Sequence, residues 1–162
     1  MINFRKMELP KTHPQYNAKG ISGGVYNRSG KILYDVKSAE AWEFPDDDRI
    51  YLKSLKINIY NESSNMVDYS IASETGWINH ITKIGQLGES TVAQITNPDP
   101  TQVITFYGKN INLDMDKNAF SSIEDAHAVQ GKSVVYTHGF TYDNNKHFLV
   151  LTSKVRVVYV QK

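Results

Sequence analysis

The chain has 162 residues, no cysteine, and 18 lysines and arginines against 17 aspartates and glutamates, a formal net charge of +1. A body of that length buries roughly 70% of its unfolded surface and needs no covalent staples, while the missing cysteines exclude disulfides, thiolate zinc sites and a cysteine nucleophile. The balanced charge excludes the strong positive field of a general nucleic-acid binder.

Residues 1–19, with Pro10 and Pro14 and no apolar period, read as an extended N-terminal arm preceding one β-sandwich domain over 20–162. The first ten residues carry charge where an export leader needs an apolar run, so no signal peptide is expected. Nor do eighteen apolar residues follow one another anywhere, so no transmembrane segment is expected. Charge then changes sign along the chain: Met1 to Ser38 holds seven basic residues against two acids, and Ala39 to Asp48 holds five acids and no base. One reading is an interface in which Arg5, Lys6 and Lys11 meet Asp46, Asp47 and Asp48 of another chain, with Tyr16 and Trp42 as aromatic anchors; the other is two solvated surfaces.

Beyond the arm, short segments rich in Val, Ile, Tyr, Thr and Phe alternate with Gly, Asn, Asp and Pro, the pattern of an all-β antiparallel sandwich or barrel. Nine strands are predicted, at about 20–26, 31–36, 49–60, 66–72, 77–84, 90–96, 102–107, 133–142 and 148–160. One short helix is allowed near 120–130, with Ser121 or Ser122 as its cap. Glycines at 20, 23 and 24 mark a bulge or a close backbone approach in the first strand.

Two segments carry the fold class. In 49–60 the apolar side chains Tyr51, Leu55, Ile57 and Ile59 alternate with Ser54, Lys56 and Asn58, so one pleat face is buried. In 148–160 the odd positions are mostly apolar and the even face carries Lys154 and Arg156, which describes one long strand. A two-residue turn at Asn144-Asn145 would pair Tyr142 with His147, Phe140 with Leu149 and His138 with Leu151, placing His138 in the interior.

No spacing brings a nucleophile, acid or base together, so no catalytic residue and no cofactor are predicted and the chain reads as non-enzymatic. Asp114, Asp116 and Asn118 offer oxygens at alternate positions for a cation, but the loop lacks the glycine and the glutamate of an EF-hand. The histidines show no zinc spacing. Trp42 and Trp77 stand near expected loop junctions and are candidates for stacking on a sugar.

The arm, the strand Arg-Ile-Tyr-Leu-Lys-Ser-Leu-Lys-Ile-Asn-Ile-Tyr and the terminal hairpin resemble small single jelly-roll virion proteins of viruses and phages, over about Ala39 to Lys162. That resemblance implies a jelly roll that self-assembles as a homo-oligomer or with other virion proteins. A minor capsid, decoration, vertex or tail-associated role would follow, located in the virion and made in the host cytoplasm. The arm lacks the arginine density of RNA-packaging coats, which speaks against nucleic-acid contact, and no membrane partner is expected. The alternative is a ligand-binding β-sandwich such as a carbohydrate-binding module.

Overall fold

The computed structural model describes residue 9 and residues 16–159. Eleven strands lie among them: β1 (Tyr16–Tyr26), β2 (Ile32–Glu43), β3 (Arg49–Tyr60), β4 (Val67–Asn79), β5 (Ile84–Leu87), β6 (Thr91–Ile95), β7 (Ile104–Gly108), β8 (Ile111–Asp114), β9 (Ala119–Gln130), β10 (Ser133–Asp143) and β11 (Phe148–Tyr159). A single 3-10 turn at Pro100–Gln102 is capped by Asp99, whose carboxylate accepts from the Thr101 N–H.

All strand pairs are antiparallel and belong to one sheet. Strands β1 to β4 form one meander and β9 to β11 another. Two ribbons join them. The half of β4 around Gly76–Ile78 pairs with β5, which leads through β8 to β9, and the half at Tyr69–Ser73 pairs with β6, which leads through β7 to β9. The expected two-sheet sandwich is therefore corrected to one sheet that splits after β4 and rejoins at β9.

Gly76 sits at the split. A Cβ there would lie 2.8 Å from the Gln86 carbonyl oxygen and 2.9 Å from a Leu87 methyl, so only glycine lets β5 leave β4 so closely.

The helix expected near 120–130 is also corrected: this segment is β9. Phe120, Ser122, Ala126 and Ala128 are buried and Ile123 is exposed, which is no helical stripe. Ladders on both edges of β9 override its mixed local propensity. The Ser122 hydroxyl, read as a cap, does accept from the Glu124 N–H at 3.1 Å, but at a break in a strand rather than at a helix start. Segments 66–72 and 77–84 fuse into β4, whose intervening Ser73 to Gly76 keep the ladder to β3. Tyr16 to Lys19, assigned to the arm, pair with β2; the remainder of the expected arm, apart from the exposed Leu9, lies outside the described residues.

Both meanders break along a transverse line. In β3, Ser54 has φ +52°, and the registers Lys53↔Thr75 and Leu55↔Ser73 pass over it, as Glu40↔Lys53 and Ser38↔Leu55 do on the other edge. Gly20, at φ +65°, continues the line into β1. In the second meander Gly139 (φ +81°) and Lys154 (φ +50°) mark the corresponding break. Each break frees backbone groups from the ladder, and buried hydroxyls take them up. Ser38 Oγ lies 2.8 Å from the carbonyl oxygens of Glu40 and Lys53, Ser73 Oγ donates to Thr75 O at 2.8 Å, and Thr137 Oγ1 donates to Gly139 O at 2.8 Å. These three side chains are among the few buried polar ones, and hydrogen bonding of this kind removes the cost of leaving them dry. The break also resets the alternation: Leu52 and Leu55, three residues apart, both enter the core.

That core gathers Leu55, Ile57, Ile59, Tyr69, Ile71, Leu87, Ile111, Leu113 and a cluster of rings around Phe120. Leu55, Ile57 and Ile59 lie inside as predicted; Tyr51 is buried outside this cluster, against Phe44.

The terminal hairpin forms, with a corrected register. Its turn holds four residues, Asn144 to His147, closed by Asp143↔Phe148, and His147 carries the positive φ of +49°. Tyr142 faces Leu149 and Phe140 faces Leu151. The two-residue offset keeps every side chain on its expected face near the turn, so apolar matching alone cannot detect it. His138 is turned out beside the break at Gly139; its side chain is 48% exposed and its Nδ1 lies 2.7 Å from Asp125. Lys154 and Arg156 are exposed as expected, but so are Val155, Val157 and Tyr159.

Candidate functional site

The inner side of β1 to β3 leaves an apolar groove of about 350 Å3. Register builds it: Gly23 faces Val36 and Ile57, Val25 faces Tyr34 and Ile59, and Ala41 faces Leu52. Ile21, Val25, Val36, Leu52 and Ile78 form its walls, and Ile21, Tyr34, Val36 and Ile50 pack their partly buried side chains against the main core. Gly23 of β1 helps to keep it open. A Cβ at Gly23 would meet nothing within 4 Å, so this position marks empty space along the groove and not the close backbone approach expected of it.

At one end, past Val25, Tyr34 and Lys83, the groove runs into a second recess of about 570 Å3 whose lining is polar. Burial, followed by the negative field of Asp116, raises the Tyr34 pKa, so its phenol stays neutral where the two recesses meet. Two strand edges also remain open. Among the described residues β1 pairs only with β2 and β11 only with β10, leaving a full row of backbone donors and acceptors on each.

On the opposite side of the first meander, Trp42, Tyr51 and Trp77 face one another across β2, β3 and β4. The Arg49 guanidinium lies 5.5 Å from the Tyr51 ring centre and 5.4 Å from that of Trp77. Asp47 accepts from Arg49 Nε and Nη2 and from the Tyr51 hydroxyl at 2.9, 3.2 and 2.9 Å. Burial opposes ionisation of Asp47, and these hydrogen bonds, with that from the Arg49 backbone N–H, outweigh it and hold the carboxyl below its ordinary range. The cluster thus ties the β2–β3 turn down. Trp42, the penultimate residue of β2, and Trp77, close to the end of β4, are half-buried beside loop junctions as expected, and the Trp77 indole N–H is buried without a partner.

Of the other acids in that turn, Asp46 and Asp48 are exposed, and Asp46 occupies the turn at φ +60°. Tyr16 is 54% exposed at the groove mouth, and Glu40 accepts from Asn17 within the same chain. Arg5, Lys6 and Lys11 lie outside the described residues. The oxygens of Asp114, Asp116 and Asn118 do not form a cation cage: Asp114 accepts from the Lys117 N–H, Asn118 accepts from the Tyr69 hydroxyl, and Asp116 is exposed in the polar recess. Among the described residues no three His, Cys, Asp or Glu side chains are grouped to hold a metal ion, and no helix is long and apolar enough to cross a membrane.

Burial and the bond to Asp47 push the Tyr51 pKa up to about 12, and burial also raises Tyr69 and Tyr142. A folded-state pKa above the unfolded value means stability fully present below about pH 10 and lost as pH rises through 12. Denaturant midpoints measured from pH 8 to 11.5 are expected to fall steeply above pH 10. Tyr51→Phe is expected to start lower, for the lost hydrogen bond, and to lose roughly 1–3 kcal/mol less over that interval. Parallel pH curves for the two proteins would contradict this account.

The sequence model of a family described as "Lipopolysaccharide-assembly, LptC-related" matches residues 4–160. A crystal structure of LptH from Pseudomonas aeruginosa, described as the LptA-homologous periplasmic component of the conserved lipopolysaccharide transport device, superposes with a TM-score of 0.61 at 13% identity, covering 79% of this chain and 95% of that one. At that identity the superposition establishes a shared fold. The family match overturns the resemblance to virion proteins, and with it the capsid, decoration and phage roles, the virion partners and the virion location. The expectation that the chain catalyses no reaction agrees with it, and the alternative of a ligand-binding β domain comes closer than the virion reading. Residues 4–160 span nearly the whole sequence, and the chain belongs to the LptC-related family of lipopolysaccharide-assembly proteins.

Proposed function

We propose that this protein carries lipopolysaccharide in the cell envelope by enclosing its acyl chains in the groove between β1, β2 and β3, within a jelly-roll fold of the kind the LptH comparison supports. The observation that carries the reading is an apolar groove kept open by glycine in a protein of this family. Transfer of a chain from water to such a wall is favourable by about 0.8 kcal/mol per buried methylene, so the lipid portion supplies the affinity. The open edges of β1 and β11 suit pairing with the sheets of other assembly components, since each offers an unpaired ladder and neither requires a change of fold. Of the candidate interface residues, Tyr16 lies on β1 beside the groove mouth, where such a pairing would form.

The test is titration of the purified protein with lipopolysaccharide and with the same molecule stripped of its acyl chains. Saturable binding is expected for the intact molecule, weakened at least about a hundredfold by deacylation, the worth of four or more buried methylenes. Equal affinity for both, or no binding of either, would overturn the assignment.

A further inference from the structure

The polar recess that adjoins the groove is built by three turns distant in sequence: Asn61–Met66 after β3, Met115–Asn118 after β8 and Asn144–His147 after β10. Side-chain amides lock these turns together. Asn144, 3% exposed, donates from Nδ2 to Asp68 at 2.8 Å and from its backbone N–H to the Asn118 carbonyl at 3.0 Å. Asn118 donates to Asn145 at 3.1 Å and accepts from the Tyr69 hydroxyl at 3.2 Å, and the Tyr142 hydroxyl donates to Asn144 at 3.3 Å. The left-handed φ of +56° at Asn118 is a conformation that asparagine tolerates well.

The result is a fixed concave surface of planar amides and carboxylates. Such groups reach two neighbouring hydroxyls of a sugar ring at once, and because they are already held in place a ligand does not have to order them. Around the recess, Glu62, Asp68 and Asp116 stand against the ammonium of Lys83 and, at the rim, that of Lys31, which donates to the Glu62 carbonyl at 3.1 Å; His147 also lines it. This surplus of negative charge disfavours a phosphate and suits neutral or amine-bearing sugar. Lys83, Val25 and Tyr34 line both recesses, so an amphiphile whose chain lies in the groove brings its polar end here without leaving the wall.

We infer that this recess is a saccharide site for the hydroxyl-rich, non-phosphorylated part of the amphiphile bound in the groove, with Asp116 and Glu62 as contacts at its rim. The inference rests on the lipid-carrier reading and adds a headgroup preference to it. Asp116 and Glu62 are exposed, and among the described residues the side chain of neither makes a hydrogen bond, so replacing them leaves the turns intact.

Three amphiphiles with the same decyl chain separate the contributions: decyl maltoside, a decyl polyoxyethylene ether and decyl phosphate, each titrated below its micelle concentration. The maltoside is expected to bind about tenfold tighter than the ether, the worth of one or two net hydrogen bonds, and tighter still than the phosphate. In the double variant Asp116→Ala, Glu62→Ala the maltoside should fall to the affinity of the ether while the ether is unchanged. Equal binding of maltoside and ether by the unaltered protein would overturn the saccharide site and leave the groove standing. A maltoside preference that survives the double substitution would place the sugar elsewhere and overturn it as well, and failure of all three to bind would remove groove and recess together.

Discussion

Phe120→Ala is expected to lower the unfolding free energy by about 3–5 kcal/mol, the range for removing a fully buried ring. Phe120 is 1% exposed, and its ring contacts four others: Tyr69 at 5.2 Å, Tyr142 at 5.2 Å, Phe140 at 5.8 Å and Phe106 at 6.0 Å between centroids. These neighbours come from β4, β7 and β10, so the ring fills the space where the two meanders meet. Its neighbours cannot collapse into the vacancy, because Phe106 and Phe140 are stacked on each other at 5.0 Å and each is held in its own ladder. Chemical denaturation monitored by tryptophan fluorescence reads the difference. Phe120→Leu, which keeps most of the volume, should recover more than half of the loss. A loss below about 1 kcal/mol for the alanine variant would show that this site relaxes freely and that the core lies elsewhere.

Ile21→Glu is expected to reduce affinity for lipopolysaccharide by at least about a hundredfold, while the fold persists with the reduced stability expected on losing a partly buried side chain packed against the core. Ile21 lines the groove from β1 opposite Ser38 and is only partly buried, so in the empty groove a carboxylate there keeps access to water. An acyl chain laid against it would strip that water away, and an unpaired charge in an apolar surrounding costs several kcal/mol. Ile21→Ala, which removes contact area without adding charge, should weaken binding by roughly tenfold. Undiminished binding by Ile21→Glu, with the fold intact by circular dichroism, would show that the chains do not lie along β1.

The sequence made some of this structure readable and concealed the rest for physical reasons. Strand β3 was plain because Leu55, Ile57 and Ile59 alternate with polar residues, and alternation reports burial of one face directly. The short ribbon strands β5 and β8, of four residues each, have no room to display a period, and β9 hides its own because after Phe120 its buried positions hold only the small Ser122, Ala126 and Ala128. The breaks at Ser54 and Gly139 reverse the pattern within one strand, so unbroken alternation assigns His138 to the wrong face. As for the groove, its walls come from registers among three strands, and no single segment carries them. One signal was present in Gly23 and Gly24, which within a strand predict a bulge or a close backbone approach: a Cβ at Gly24 would lie 3.3 Å from the Tyr26 ring, while Gly23 leaves an opening. Alternation tells which side of a strand is dry and not whether that side is filled, so a virion jelly roll and a lipid carrier share the same pattern.

The split of the sheet has a kinetic consequence. Strands β1 to β4 and β9 to β11 each pair with their sequence neighbours, so both meanders assemble through short loops at small entropic cost. Joining them requires β4 to find β9 through two separate bridges, across a stretch of chain that holds β5 to β8. Closure of that ring is the most non-local event in the topology, and it is expected to limit the folding rate. Until it happens, the rings around Phe120 stand half-dressed in solvent, and the nascent protein is at its most vulnerable to sticking to its own kind.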